Sequence, residues 1–84
     1  MEKRTGTVLI QVEDREMVHQ VNHIISAHSH IILGRQGLPR SNGQPLISLV
    51  LEGTTDQIGS LTGQLGRVKG IQVKSILLKN PGHE

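Results

Sequence analysis

Hydrophobic and polar positions in the first third of the chain follow two different periods. Within residues 5–12, alternate positions carry aliphatic side chains, and this two-residue period predicts a strand with one buried face. These positions are Val8, Ile10 and Val12. Over residues 15–28 the apolar residues recur at the spacing of one helical face, and Asp14 precedes them as an N-cap residue. This second pattern predicts a helix over about residues 15–28.

The middle of the chain contains two extended segments separated by a turn. Residues 30–39 and 45–53 are rich in aliphatic residues, and a proline stands at each end of the connection between them. Asn42 and Gly43, inside this connection, are typical turn residues. We therefore expect a hairpin of two strands, the first of which begins at His30.

The last third of the chain predicts a second helix and a final strand. Thr54 and Gln57 have the spacing of a capping box, in which a hydroxyl caps the helix start and the Gln side chain bonds back to the cap. The apolar stripe that follows contains Ile58, Leu61, Leu65 and Val68. Residues 71–78 then return to a strand-like pattern.

The resulting element order is β-α-β-β-α-β. With right-handed crossovers and a central hairpin, this order folds most simply as an α+β, ferredoxin-like sandwich. Such a fold has a four-stranded antiparallel sheet with two helices on one face. We expect a single domain over residues 1–84, with a core of about residues 4–78 and a frayed tail at residues 79–84.

Composition excludes several kinds of chemistry. The chain contains no Cys and no Phe, Tyr or Trp, so thiolate metal sites, thiol catalysis and aromatic stacking of bases are all excluded. The net charge of +2 is spread along the chain and forms no basic patch for direct binding of nucleic acid. No apolar window approaches the ~20 residues of a membrane span, and no signal-peptide pattern is visible. We expect a cytoplasmic protein with no membrane partner and no cofactor.

Three of the five histidines raise the question of a metal site. His23, His28 and His30 fall within eight residues. Helical steps of about 100° place His23 with His19 on the solvent side and His28 on the apolar side. We expect His28 to be a partly buried histidine bonded to a carbonyl at the helix end. The alternative is a metal sensor or chaperone whose metal is bound by His28 and His30 at a subunit interface.

The second strand is expected at an edge of the sheet. It is apolar on both parities and lacks the Lys residues that discourage edge pairing, while its two glycines permit a bulge or a close backbone contact. A domain of this size buries only about 60–65% of its extended surface, so association would add burial. We expect a homo-oligomer, a dimer or a tetramer. The expected interface residues are Ile32, Gly34, Gln36 and Gly37.

Two other surfaces are alternative contact sites. One is the helix-free face of the sheet, on which we expect Leu9, Val50, Ile76 and Leu78. The other is the side of the second helix that carries Gly59 and Gly63, which are four residues apart. At that side we favour close packing within the fold over an interface.

No motif predicts catalysis. Ser, His and acidic residues do not occur at a recognisable catalytic spacing. The loop at residues 12–16 is acidic and would repel the phosphate that an acylphosphatase-like enzyme binds. Arg35 and Arg40 flank the hairpin and could bind an anionic ligand, although solvated arginines are favoured. We therefore expect no enzyme.

Three segments of the chain closely resemble one protein family. They read VEDRE, ILGRQGLP and ISLVLEGTTDQIGSLTGQLGRVKGIQVKS, and the similarity extends from Lys3 to about Leu78. The family that the chain resembles is that of the iron-only hydrogenase system regulators, short proteins of anaerobic bacteria. The resemblance implies an ACT-like fold, similar to the effector domain of the nickel-responsive repressor. It also implies regulation of the hydrogenase or its maturation, with an unidentified effector or partner protein.

The resemblance also bears on ligands. The nickel ligands of the repressor would fall near Ser26, near Gly37 and Pro39, and near Leu46, none of which supplies a ligand. ACT domains that bind amino acids use a glycine-containing loop after the first strand, whereas residues 12–16 contain no Gly. We expect no DNA-binding arm before the first strand, so an effect on transcription is expected to act through another protein. The expected function is a non-enzymatic, homo-oligomeric regulatory or ligand-binding module.

Overall fold

The first strand lies in the middle of the sheet because both halves of the chain pair with it. In a computed structural model, which describes residues 2–79, the strands are β1 Arg4–Val12, β2 Ile32–Leu38, β3 Leu46–Gly53 and β4 Ile71–Leu77, and the helices are α1 Val18–Ala27 and α2 Thr55–Gly66. All strand pairs are antiparallel, and the sheet order is β2-β3-β1-β4. The predicted ferredoxin-like βαββαβ fold and the edge position of β2 are confirmed. The predicted tail, residues 79–84, lies outside the described residues except for Lys79.

The core lies between the two helices and one face of the sheet. Its side chains are all aliphatic, and the predicted parity of β1 and the predicted stripe of α2 are both buried. The fully buried residues of greatest volume include Ile10, Leu49, Leu51, Leu61 and Leu65. Burial of this kind stabilises a fold by roughly 1.5–3 kcal/mol per large aliphatic side chain. No helix within residues 2–79 is long and apolar enough to cross a membrane.

The first helical segment is shorter than predicted, because a tight turn precedes it and another follows it. Asp14 caps the segment, and its carboxylate accepts a hydrogen bond from the Glu16 amide at 3.0 Å. The first turn, Arg15–Met17, is 3-10 helical, and a second 3-10 turn, Ser29–Ile31, follows α1. The prediction that a strand begins at His30 is therefore wrong. The second turn directs Ile31 into the core, where it is 3% exposed, before β2 starts.

The start of α2 is the predicted capping box. The Thr54 hydroxyl accepts a hydrogen bond from the Gln57 amide at 3.2 Å, and the Thr54 amide donates to Gln57 Oε1 at 2.9 Å. Each bond satisfies an amide that the first turn of a helix leaves without an intrahelical partner. This reciprocal pair fixes the chain direction between β3 and α2.

A bulge interrupts β2 near its start. Ile32 lies opposite Leu51 and Gly34 lies opposite Val50, so Leu33 is an extra residue without a partner on β3. Residues two apart in a regular strand point to the same face of the sheet. The inserted residue breaks this rule, because Ile32 points towards the helices and Gly34 towards the opposite face.

Glycines have opposite environments in β1 and α2. A Cβ on Gly6 would lie 2.6 Å from the Ile76 carbonyl oxygen, so β1 and β4 approach closely at this point. A Cβ on Gly59 or Gly63 would meet no atom within 4 Å. The expectation that Gly59 and Gly63 allow close packing within the fold is therefore wrong, and this side of α2 is open.

Candidate functional site

The four histidines in the described part of the chain differ in their exposure. His19, His23 and His30 are exposed, as the helical period predicts for the first two. His28 is buried, with 7% of its surface exposed. Residues 2–79 contain no group of three or more His, Cys, Asp or Glu side chains placed to hold a metal ion.

His28 connects the two helices. Its Nδ1 lies 2.8 Å from the Ile24 carbonyl oxygen and its Nε2 lies 3.0 Å from Ser60 Oγ. A carbonyl can only accept, so Nδ1 carries a proton and donates to it. In the neutral ring, Nε2 then accepts a hydrogen bond from the Ser60 hydroxyl, which also accepts one from Gln64 Nε2 at 3.1 Å. The predicted bond from His28 to a carbonyl at the helix end is thus confirmed, and both ring nitrogens have partners.

The residues predicted to form an edge interface divide between two faces. Residues directly opposite on neighbouring strands share a face. By this criterion, because of the bulge, Ile32 and Gly37 lie on the helix side, whereas Gly34 and Gln36 lie on the other side. Arg35 also lies on the helix side, where its guanidinium donates a hydrogen bond to Asn22 of α1. A contact surface that contains all four predicted residues would have to wrap around the strand.

The helix-free side of the sheet, which we call the open face, carries most of the exposed aliphatic surface. Its exposed side chains are Leu9 (46%), Leu38 (45%), Val50 (44%), Ile76 (67%) and Leu78 (62%). Four of these five were predicted on this face, and their exposure is confirmed. Scattered single apolar residues are normal on protein surfaces, but a group on one sheet face is typical of an interaction surface.

Two shallow hollows lie on the open face, one towards each end of the strands. The first, which we call the apolar half, has a volume of about 190 Å³ and is lined by Thr5, Gly6, Thr7, Val50, Ile76 and Leu78. The second, which we call the polar half, has a volume of about 240 Å³ and is lined by Leu9, Gln11, Arg40, Leu46, Gln72 and Lys74. The apolar half is lined mainly by aliphatic side chains, whereas the polar half also has two cations and two glutamines.

Sequence reasoning identified Arg40 as a possible ligand for an anion but missed the residues around it. Lys74 and Gln72 are two apart on β4, and Gln11 lies opposite Gln72 on β1. Only the cross-strand register brings these three to one hollow. The sequence contained one signal for part of this arrangement. Lys74 and Gln72 share parity with Ile76 and Leu78, which places all four residues on the same face of the sheet.

In the loop after β1, where ACT domains bind amino acids, two amides are hydrogen-bonded within the fold. The amides of Glu13 and Asp14 both donate to the Gly70 carbonyl oxygen, at 2.8 and 2.9 Å. Gly70 has φ +83°, a conformation that favours glycine, and a Cβ there would lie 2.6 Å from Asp14 Cβ. These two amides are therefore committed to holding the loop against the start of β4.

Two distant solved structures share the fold. The ACT domain of the GTP pyrophosphokinase of Chlorobium tepidum is 23% identical, with 100% of this chain and 96% of that chain covered and a TM-score of 0.68. The C-terminal domain of the MgtC protein from Mycobacterium tuberculosis is 13% identical, with coverages of 96% and 94% and a TM-score of 0.68. At these identities the similarity shows an ACT-like fold alone. No curated protein is significantly similar to the chain.

Family comparison gives a closer match. The uncharacterized protein TM1266 from Thermotoga maritima is 42% identical, with 93% of this chain and 100% of that chain covered and a TM-score of 0.87. Residues 4–75 match the TM1266-like family model, which is described as a candidate iron-only hydrogenase system regulator. The matched range contains all three segments on which the resemblance rests. The chain belongs to the TM1266-like family.

Proposed function

We propose that this chain is a cytoplasmic, non-enzymatic regulatory module of the iron-only hydrogenase system, that it self-associates through the apolar half of the open face, and that it acts through another protein. Family membership supports the link to the hydrogenase system, and the ACT-like fold supports a regulatory or ligand-binding role. The observation that carries the proposal is the exposed aliphatic group on the open face.

A second copy of the chain is the favoured partner of this face, because it would bury the exposed apolar surface. Ile76 and Leu78 are each more than 60% exposed, on the side of the sheet opposite the aliphatic core. Covering apolar surface contributes about 25 cal/mol per Å², and a small domain has little other surface with which to supplement its core. A two-fold pair would place the same patch on both copies.

The open face is a better candidate than the strand edge alone. The bulge at Leu33 interrupts the edge of β2, and bulges discourage continued edge pairing. Gly34 and Gln36, two of the four residues predicted at the interface, lie at the margin of the open face. A partner that covers this face would therefore also approach part of the predicted edge.

Two charge-introducing variants separate the face from the edge. Ile76→Lys places a charge in the apolar half, and Leu33→Lys places one at the bulge, where Leu33 is 64% exposed. Native mass spectrometry at micromolar concentration should give a dimer or tetramer for the wild type and Leu33→Lys, and a monomer for Ile76→Lys. A monomeric wild type would overturn self-association. If only Leu33→Lys dissociates the oligomer, the interface lies at the edge of β2 and not on the open face.

The regulatory part of the proposal is tested in cells. Deletion of the gene should change hydrogenase activity, and wild-type protein should restore it while Ile76→Lys should not. Measuring hydrogenase transcript and mature enzyme in the same cultures distinguishes control of expression from control of maturation. Unchanged activity, transcript and maturation in the deletion strain would contradict a role in this system.

A further inference from the structure

We propose that the polar half of the open face binds a small organic anion, a carboxylate with a short aliphatic body. This site goes beyond the proposed function, since a single chain contains all of its lining residues. Its volume of about 240 Å³ is below the ~300–1,000 Å³ typical of pockets for drug-sized ligands. The chain also has no aromatic ring on which a nucleobase could stack. Both features favour a small aliphatic ligand.

Two cations, Lys74 and Arg40, border the hollow. Lys74 lies on β4 opposite Leu9, with its side chain on the open face. Within residues 2–79, neither Lys74 nor Arg40 is paired with an Asp or Glu. The nearby carboxylate of Glu13 instead accepts a hydrogen bond from Gln72 Nε2 at 2.6 Å. Two positive groups against one negative group give the hollow a net attraction for anions.

Arg40 is held in place by its loop. The Gly43 amide donates to the Arg40 carbonyl oxygen at 3.0 Å and closes a tight turn, in which Gly43 has φ +77°. The Gln44 amide donates to Asn42 Oδ1 at 2.9 Å. From this turn the guanidinium donates to Gln11 Oε1 on β1, at 3.1 Å. The loop therefore presents Arg40 over the sheet rather than away from it.

The arrangement of these groups selects a carboxylate with an apolar body. Arg40 uses one N–H on Gln11, and the guanidinium has five, so it can still bind a carboxylate through two parallel hydrogen bonds. Lys74 adds a second positive charge from β4. Leu9 and Leu46 provide apolar surface in the same hollow, against which a short hydrocarbon chain would pack. Inorganic phosphate would meet the cations but would leave this surface uncovered.

Binding is tested by titrating the full ¹⁵N-labelled chain with succinate at constant ionic strength. Succinate should shift the amide signals of residues 9–11, 40–46 and 72–74 in a saturable way. Succinamide, its neutral counterpart, should not. Phosphate should bind about tenfold more weakly or worse, since it lacks the aliphatic contact. Equal binding of phosphate and succinate would overturn the ligand class, and no saturable shift with any of the three would overturn the site.

Variants assign the binding to the two cations. Lys74→Gln and Arg40→Gln should each weaken succinate binding about tenfold or more, because each removes a charged hydrogen-bond donor. Lys69→Gln, an exposed lysine that does not line the hollow, is the matched control and should leave binding unchanged. Equal affinity in Lys74→Gln and the wild type would overturn the proposal. If the monomeric Ile76→Lys variant binds succinate, the binding site does not depend on self-association.

Discussion

At the residue scale, Gly6 is the position where a single methyl group should matter most. A Cβ there would lie 2.5 Å from Leu77 Cδ2 and 2.6 Å from the Ile76 carbonyl oxygen. The leucine tip can move, but the carbonyl belongs to the β1–β4 pairing and cannot move without loss of hydrogen bonds. We expect Gly6→Ala to lower the free energy of unfolding by about 1–3 kcal/mol, measured by urea denaturation.

Gly59→Ala is the matched control, with the opposite expected sign. Gly59 lies inside α2, and an added Cβ would meet nothing within 4 Å. Replacing an interior helical Gly with Ala should then raise the free energy of unfolding by up to about 1 kcal/mol. A loss of stability in Gly59→Ala, or an unchanged value in Gly6→Ala, would contradict the assignment of these two environments.

His28 is the second residue with a specific expected effect. His28→Ala removes a buried ring, and with it the donor to the Ile24 carbonyl and the acceptor of the Ser60 hydroxyl. We expect a loss of about 2 kcal/mol in the free energy of unfolding, from the cavity and the lost hydrogen bonds together. His23→Ala, at an exposed position of the same helix, should stay within about 0.5 kcal/mol of the wild type. Similar losses in both variants would contradict a specific link between the helices.

Residue-scale features were only partly predictable from the sequence. The helical period correctly placed His28 on the apolar side, but its partner Ser60 comes from the other helix, 32 residues later. Periodicity carries no information about such a pair. Gly6 was missed for a different reason, since a glycine has no side chain to enter a hydrophobic pattern, and only the approach of β4 reveals its role.

At the element scale, the start of α2 depends on a capping box that contributes a measurable part of the stability. Thr54→Ala removes the hydroxyl that accepts from the Gln57 amide, so we expect a loss of about 1 kcal/mol in the free energy of unfolding. Thr55→Ala is the control, because Thr55 is exposed in the first turn and provides no cap. An equal effect of the two substitutions would show that the box does not stabilise the helix.

Elements with a regular period were predictable, and irregular ones were not. Spacing predicts the strands β1, β3 and β4 and the helix α2, because each packs hydrophobic residues of regular spacing against the core, fully buried in β1, β3 and α2 and partly buried in β4. The second strand differs, because an extra residue at Leu33 changes which parity faces the helices. No local pattern distinguishes Ile32 from Gly34 in this respect, and the four residues predicted to share an interface were divided for this reason.

At the scale of the whole molecule, the fold followed from the order of elements, whereas the candidate sites did not. Handedness and the central hairpin leave few arrangements for a β-α-β-β-α-β chain. The polar half, by contrast, combines one loop with positions from three strands. Its composition depends on the register of β1 with β3 and with β4, which the sequence does not specify residue by residue.

Self-association through the apolar half should also appear in thermal unfolding. Because a dimer unfolds to two chains, its midpoint temperature rises with protein concentration, whereas that of a monomer does not. With an unfolding enthalpy of about 0.7 kcal/mol per residue, the rise for a dimer is roughly 4 °C for each tenfold increase in concentration. The dependence should persist in Leu33→Lys and disappear in Ile76→Lys. It should also change little with salt, because the contacts of the apolar half carry no charge, whereas succinate affinity should fall as salt screens Arg40 and Lys74. A wild-type midpoint that is independent of concentration over two decades would contradict a dimer that dissociates on unfolding.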